Sequence, residues 1–105
     1  MTDDLMKDVE EITPHLIELR RDFHRHPEIA NQEHRTSAVV RTFLEGLNVP
    51  VRTVAGTGLV GILEGQPGGR TVALRADMDA LPLLEEGPKE YISQNAGACH
   101  ACGHD

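Results

Sequence analysis

Aromatic residues are scarce in this sequence, which has no tryptophan, one tyrosine and two phenylalanines among its 105 residues. A hydrophobic core must therefore be built from leucine, valine, isoleucine and alanine. No stretch approaches the roughly 18 consecutive apolar residues that span a bilayer. The acidic start, MTDDLMKDVEE, also lacks the basic and apolar regions of a secretory signal. These absences predict a cytoplasmic, globular protein of at most one domain, residues 1–105.

Positive charge is also in short supply. Ten lysines and arginines stand against 17 aspartates and glutamates, so the formal net charge is −7 at pH 7. This charge would repel phosphate backbones and anionic lipids, and we expect neither nucleic-acid nor membrane binding. The two cysteines are spaced three apart. Because cytosolic thiols stay reduced, they indicate metal or redox chemistry rather than a structural disulfide.

The N-terminal part of the chain has the apolar period of a helix. Six apolar residues in the range 5–23 recur every three or four positions, which predicts one amphipathic stripe. Pro14 lies within the stripe, so either one helix is kinked there or a second, nearly collinear piece begins with Thr13 as its N-cap. The helix should end near His26, because a proline follows that residue.

A second helix is predicted over about 33–47, with Asn31 as its N-cap. Three short segments rich in β-branched residues follow: VRTV (51–54), GLVGILEG (58–65) and TVALRAD (71–77). The glycine-rich stretches between them indicate hairpin turns. We therefore expect an α/β fold in which two helices pack on a partial sheet of at least three strands. The irregular segment that follows is typical of a functional loop.

Two carboxylates stand just beyond the third predicted strand, in ALRADMDALP. Asp77 and Asp79 would lie at the carboxyl end of that strand, where open α/β sheets place their ligand sites. In an extended chain their side chains point the same way, so they could bind a divalent cation or hold an imidazole ligand in its correct tautomer. The alternative is a turn in which aspartate accepts backbone hydrogen bonds.

The last seven residues, CHACGHD, hold two cysteines, two histidines and an aspartate. Cys102 and His104 flank a glycine that allows a tight turn, so both side chains can reach one ion or two neighbouring ions. Three alternatives stay open: a redox CxxC formed with Cys99, a four-ligand zinc site that adds Cys99 and His100, and a buried cysteine beside a surface histidine. A c-type haem site is excluded, because glycine follows the second cysteine.

Two further histidines, His24 and His26, occur in RRDFHRHPE. Their spacing places them on different faces of a helix, which does not favour a shared metal ion. Histidine suits the negative end of a helix dipole, so we expect a structural role at the end of the first helix.

Four stretches together resemble one known family. LRRDFHRHPE, NQEHRTSAVV, TVALRADMDALP and SQNAGACHACGHD occur in this order, and they resemble the N-terminal part of the M20 metallopeptidases. The branch is that of the N-acyl-amino-acid amidohydrolases, with hippurate hydrolase and the auxin-conjugate hydrolases. The resemblance implies the N-terminal part of a zinc-peptidase-like catalytic domain and a centre of two divalent ions, zinc or manganese. It also implies a small-molecule N-acyl amino acid substrate and allows a homo-oligomeric parent protein.

The resemblance further implies roles for single residues. Cys102 and His104 match two metal ligands of the family, Asp79 matches the aspartate that supports the metal site, and Asp77 stands where relatives carry a metal-binding histidine. We keep Asp77 as a candidate ligand. The family's general-base glutamate and remaining ligands would follow Asp105. We therefore expect an amidohydrolase fragment that is inactive and only marginally stable alone. The alternative is a truncated, non-enzymatic pseudo-enzyme or a small metal-binding module.

Overall fold

The computed structural model describes residues 2–87 and 90–103. The secondary structure consists of α1 (Thr2–Arg25), α2 (His34–Gly46), β1 (Val51–Val54) and β2 (Gly58–Gly61). The two strands pair in antiparallel fashion, and α2 packs against both of them. The predicted α/β class, with two helices and a partial sheet, is confirmed. No helix in the described ranges combines the length and the apolar character needed to cross a membrane.

The first helix runs without a break through Pro14 and ends at Arg25, one residue before the predicted end. Thr13 is therefore not an N-cap. Its hydroxyl donates to the carbonyl oxygen of Val9 at 2.6 Å, within the helix. The apolar stripe stays largely exposed over the first half of α1, as at Leu5 and Ile12, which are 61% and 53% exposed. The helix becomes buried only at its C-terminal end.

The predicted span of α2 is confirmed, but Asn31 as its N-cap is wrong. Glu33 occupies the N-cap position and makes no capping hydrogen bond with its side chain. The carboxylate of Glu28 takes that role: it accepts from the backbone amides of Arg35 at 3.0 Å and Thr36 at 2.6 Å, and from the Thr36 hydroxyl at 2.8 Å. It thereby satisfies two of the amides that a helix N-terminus leaves without an intrahelical partner.

These contacts change the acidity of Glu28. Burial alone would raise its pKa, but the hydrogen bonds from Thr36 and Arg35 and the charge of Arg35 outweigh burial. The pKa of Glu28 is therefore lowered from its ordinary value of 4.5. The same arginine also joins the two helices, because its guanidinium donates to both carboxylate oxygens of Asp22 on α1, at 2.7 and 2.9 Å.

The hairpin turn is fixed by its backbone and by one buried hydrogen bond. Ala55 and Gly56 have φ values of 50° and 82°, the left-handed conformation typical of tight hairpin turns. The buried Thr57 donates from its hydroxyl to the carboxylate of Glu33 at 2.7 Å. This bond ties the turn to the start of α2.

Residues 71–77 form no strand, so the predicted sheet of at least three strands is wrong. Val72 and Leu74 are 83% and 98% exposed. A strand requires partners for its backbone N–H and C=O groups, and the apolar pattern of a segment does not supply them. The glycine-rich stretch before this segment consequently closes no hairpin.

Candidate metal centre

Short backbone ladders hold the two segments that carry the predicted site residues. The amide of Ala80 donates to the carbonyl oxygen of Glu28 at 2.8 Å. Leu81 and Cys99 exchange two backbone hydrogen bonds, of 2.9 and 3.0 Å. Ala80, Ala98 and Cys99 are at most 4% exposed and form the apolar core of this region. The segment that follows Asp79 is therefore fixed beside the segment that precedes Cys102.

The loop before Cys99 is docked on the end of α1. The carbonyl oxygen of Arg25, at the last position of the helix, accepts from the amide of Gln94 at 2.7 Å. The hydroxyl of Ser93 lies 2.8 Å from the carbonyl oxygen of Ala98. These bonds satisfy groups that would otherwise be unpaired, and they set the position at which the chain enters the cysteine segment.

A cavity of about 570 Å³ lies between α1 and these two segments. Asp77, Asp79 and Cys102 all line it, as does His100. The rest of its wall comes from α1 and from the residues next to Asp77, namely Leu16, Leu19, Arg20, Phe23, Arg75 and Ala76. Three of the four predicted site residues thus border one space. The fourth, His104, lies outside the described residues.

Asp77, Asp79 and Cys102 are open to solvent at this cavity. The guanidinium of Arg75 donates to Asp77 at 3.1 Å across an exposed ion pair. The side chain of Cys102 is exposed, and Asp79 is exposed as well. Carboxylate oxygens and thiolate sulfur are both ligands of divalent transition metals, so the donor set fits such an ion.

The two cysteines of the CxxC motif have different surroundings. Cys99 is buried and lines a second cavity, of about 290 Å³, whereas the exposed Cys102 lines the larger one. Among the described residues the two thiols thus border different cavities, which does not favour the redox pair.

A cluster that the sequence analysis missed lies at the smaller cavity. One ring nitrogen of His24, one carboxylate oxygen of Glu85 and the Sγ of Cys99 all lie within 4.8 Å of one another. His24 Nε2 and Glu85 Oε2 are hydrogen-bonded. The sequence predicts a role at the helix dipole for His24 and no role for Glu85. No spacing pattern joins residues that are 61 positions apart.

No family model matches the sequence. The chain is 48% identical over 91 residues to YhaA of Bacillus subtilis (strain 168), which is named for an inferred amidohydrolase activity. The match covers 86% of this chain and 23% of YhaA. It is also 44% identical over 107 residues to thermostable carboxypeptidase 1 of Saccharolobus solfataricus. That match covers all of this chain and 27% of the carboxypeptidase.

A solved structure shares the fold. The crystal structure of the YXEP protein of Bacillus subtilis, described as a dinuclear metal-binding peptidase of the M20 family, superposes with a TM-score of 0.83 at 37% identity. The match covers 90% of this chain and 27% of that one. The chain thus spans about a quarter of the length of the curated relatives that it matches.

Proposed function

Because this chain belongs to the M20 family of metallopeptidases and amidohydrolases, we propose that it forms part of a metal centre that hydrolyses the amide bond of N-acyl amino acids. The observation that carries the proposal is the convergence of Asp77, Asp79 and Cys102 on one cavity. A volume of about 570 Å³ suits a small molecule. The dinuclear centre of the YXEP protein supports a metal-dependent reaction.

The residues of the cavity have distinct proposed roles. Cys102 and Asp77 would hold metal, and Asp79 would keep a ligand in its coordinating orientation. By the resemblance to the family, His104 would add an imidazole. When zinc or manganese is bound, it supplies a Lewis acid that polarises the amide carbonyl and makes water acidic enough to act as a nucleophile.

The wall of the cavity favours a substrate with one anionic and one apolar end. Arg20 and Arg75 both line it, and guanidinium groups pair with carboxylates through two parallel hydrogen bonds. Leu16, Leu19 and Phe23 give the α1 side an apolar surface. An N-acyl amino acid has a free carboxylate and an acyl group, which match these two surfaces. Arg75 would exchange its exposed bond to Asp77 for the substrate.

The test uses the natural protein that contains these residues, purified and loaded with Zn²⁺ or Mn²⁺. We expect it to release free amino acid from N-acyl amino acids, and we expect Cys102→Ser and Asp79→Asn each to lower kcat/KM on the order of a hundredfold. Glu64→Gln is the matched control, because Glu64 is exposed and does not line the cavity. Activity that Cys102→Ser leaves unchanged would contradict the proposal.

The competing function is a small metal-binding module without catalysis. The observation that favours it is that two proposed ligands, Asp77 and Cys102, already border one cavity within this short chain. Calorimetric titration of the 105-residue chain with Zn²⁺ separates the two functions. Tight binding to the cavity, lost in Cys102→Ser, would favour the module. Weak binding at this cavity, together with hydrolysis by the natural protein, would favour the enzyme.

A further inference from the structure

We propose that His24, Glu85 and Cys99 form a second metal-binding site, for a soft divalent cation such as Zn²⁺. One potential ligand atom from each residue lies within 4.8 Å of the other two. Imidazole nitrogen, carboxylate oxygen and thiolate sulfur are the three atom types with which proteins bind zinc. The site is separate from the cavity that Cys102 lines, and it does not rest on the proposed hydrolytic function.

Burial sets this cluster apart from a chance grouping of surface residues. The side chains of His24 and Glu85 are 6% and 5% exposed, and Cys99 is 4% exposed. A buried carboxylate is costly unless a cation or hydrogen-bond donors compensate it. His24 Nε2 is bonded to Glu85, whereas the buried His24 Nδ1 has no hydrogen-bond partner. A divalent cation held between His24 Nε2 and the Glu85 carboxylate would supply such compensation.

Each proposed ligand is held in place by a second contact. Glu85 uses its other carboxylate oxygen, Oε1, to accept from the amide of Ser93 at 2.6 Å. The ring of His24 packs edge-on against Tyr91, with 5.5 Å between the ring centroids. Cys99 is anchored by its backbone ladder. Metal ligands are typically oriented by such outer contacts, which reduce the entropy lost when the ion binds.

The neighbouring cavity gives an ion room to enter. It measures about 290 Å³, and His24, Glu85 and Cys99 all line it. Three protein ligands leave a fourth position of a zinc tetrahedron open, which a water in this cavity would fill. The bound ion would replace the direct hydrogen bond between His24 and Glu85. It would also join the end of α1 to the segment that leads to Cys102.

The test uses the 105-residue chain carrying Cys102→Ser, in which Cys99 is the one remaining thiol. We expect one equivalent of Co²⁺ to bind and to give a thiolate-to-cobalt charge-transfer band, which Zn²⁺ then displaces. Adding Cys99→Ser should abolish the band. Adding His24→Gln should weaken Co²⁺ binding on the order of a hundredfold. His34→Gln is the control, because His34 is exposed and lies on α2.

Absence of a cobalt–thiolate band in Cys102→Ser would overturn the proposal, as would a band that persists undiminished in His24→Gln. Far-UV circular dichroism of each metal-free variant shows whether it folds. If Cys99→Ser does not fold, Glu85→Gln takes its place, because glutamine keeps the shape of the side chain but is a poorer ligand. As an independent readout, Zn²⁺ should raise the Tm of Cys102→Ser and leave the Tm of the variant with His24→Gln unchanged.

Discussion

Replacing Glu28 with alanine should destabilise α2, because this side chain caps the helix from outside it. Its carboxylate accepts hydrogen bonds from the amides of Arg35 and Thr36 and from the Thr36 hydroxyl. Alanine would leave both amides to water and would leave the hydroxyl of Thr36, a residue only 3% exposed, without this acceptor. Glu28→Gln would keep one acceptor oxygen but lose the charge and the second of the two oxygens that accept in the original chain.

The expected cost follows from these three bonds. Loss of a helix N-cap costs about 0.5–2 kcal/mol, and a buried hydroxyl that loses its acceptor adds roughly 1 kcal/mol. We therefore expect Glu28→Ala to lower the free energy of unfolding by about 1–3 kcal/mol at pH 7, and Glu28→Gln to lower it by about half as much. The exposed Glu64→Ala is the control and should change it by less than about 0.5 kcal/mol.

Urea unfolding followed by circular dichroism measures this difference, and its pH dependence gives a second check. Because the pKa of Glu28 is lowered on folding from 4.5, its stabilising effect is fully present above that value. The effect is lost as the pH falls through the lower pKa of the folded state. The difference between the original chain and Glu28→Ala should therefore shrink below pH 4.5. If the urea unfolding curve is too weakly cooperative to fit, hydrogen exchange at the Thr36 amide reports on the same cap locally.

Two results would refute this reasoning. One is a Glu28→Ala chain whose urea midpoint and Thr36 amide protection match those of the Glu64→Ala control. The other is a stability difference that grows as the pH falls below 4.5, since that sign requires a carboxyl whose pKa is raised on folding. Either would mean that the side chain of Glu28 does not cap α2 in solution.

Three further substitutions test the hairpin and the contacts of α2 by urea unfolding. Gly58→Ala should cost about 1–3 kcal/mol, because the added Cβ would lie 2.8 Å from the carbonyl oxygen of Val54; an unchanged midpoint would show that the hairpin yields easily. Thr57→Val removes the buried donor to Glu33 and should cost about 1–3 kcal/mol, a loss that Thr57→Ser should largely avoid. Asp22→Asn breaks a partly exposed ion pair and should cost under about 1 kcal/mol, less at high salt.

The helices were predictable from the sequence because their signals are local. An apolar stripe at helical period and a proline after the last turn suffice to place α1 to within a residue at its C-terminal end. The absence of a strand at 71–77 was not predictable in this way. Alternating β-branched residues at 71–77 identify a segment that would suit a sheet, but strand formation depends on a hydrogen-bonding partner elsewhere in the chain. The prediction of Asn31 as N-cap was wrong for a similar reason, since the capping carboxylate comes from Glu28 and not from the residue next to the helix.

The candidate site, too, was predictable from the sequence only in part. The sequence identified Asp77, Asp79 and Cys102 by residue type and motif, and the structure places all three around one cavity; their roles as ligands and support stay predictions. The pairing of His24 with Glu85 was missed, because it joins the end of a helix to a loop far along the chain. Residue type and position favoured a structural role for His24 at the end of the helix, and only the fold shows that it is buried.

The convergence at the larger cavity has a different cause from the one that the sequence suggested. The carboxylates were expected together at the carboxyl end of a sheet strand, yet 71–77 is not a strand. Two backbone contacts bring them near the cysteine segment instead: Ala80 bonds to Glu28, and Leu81 pairs with Cys99. Asp79 immediately precedes this ladder, and Cys102 follows it by three residues. The position of Asp79 at the cavity therefore depends on this ladder and not on a strand before Asp77.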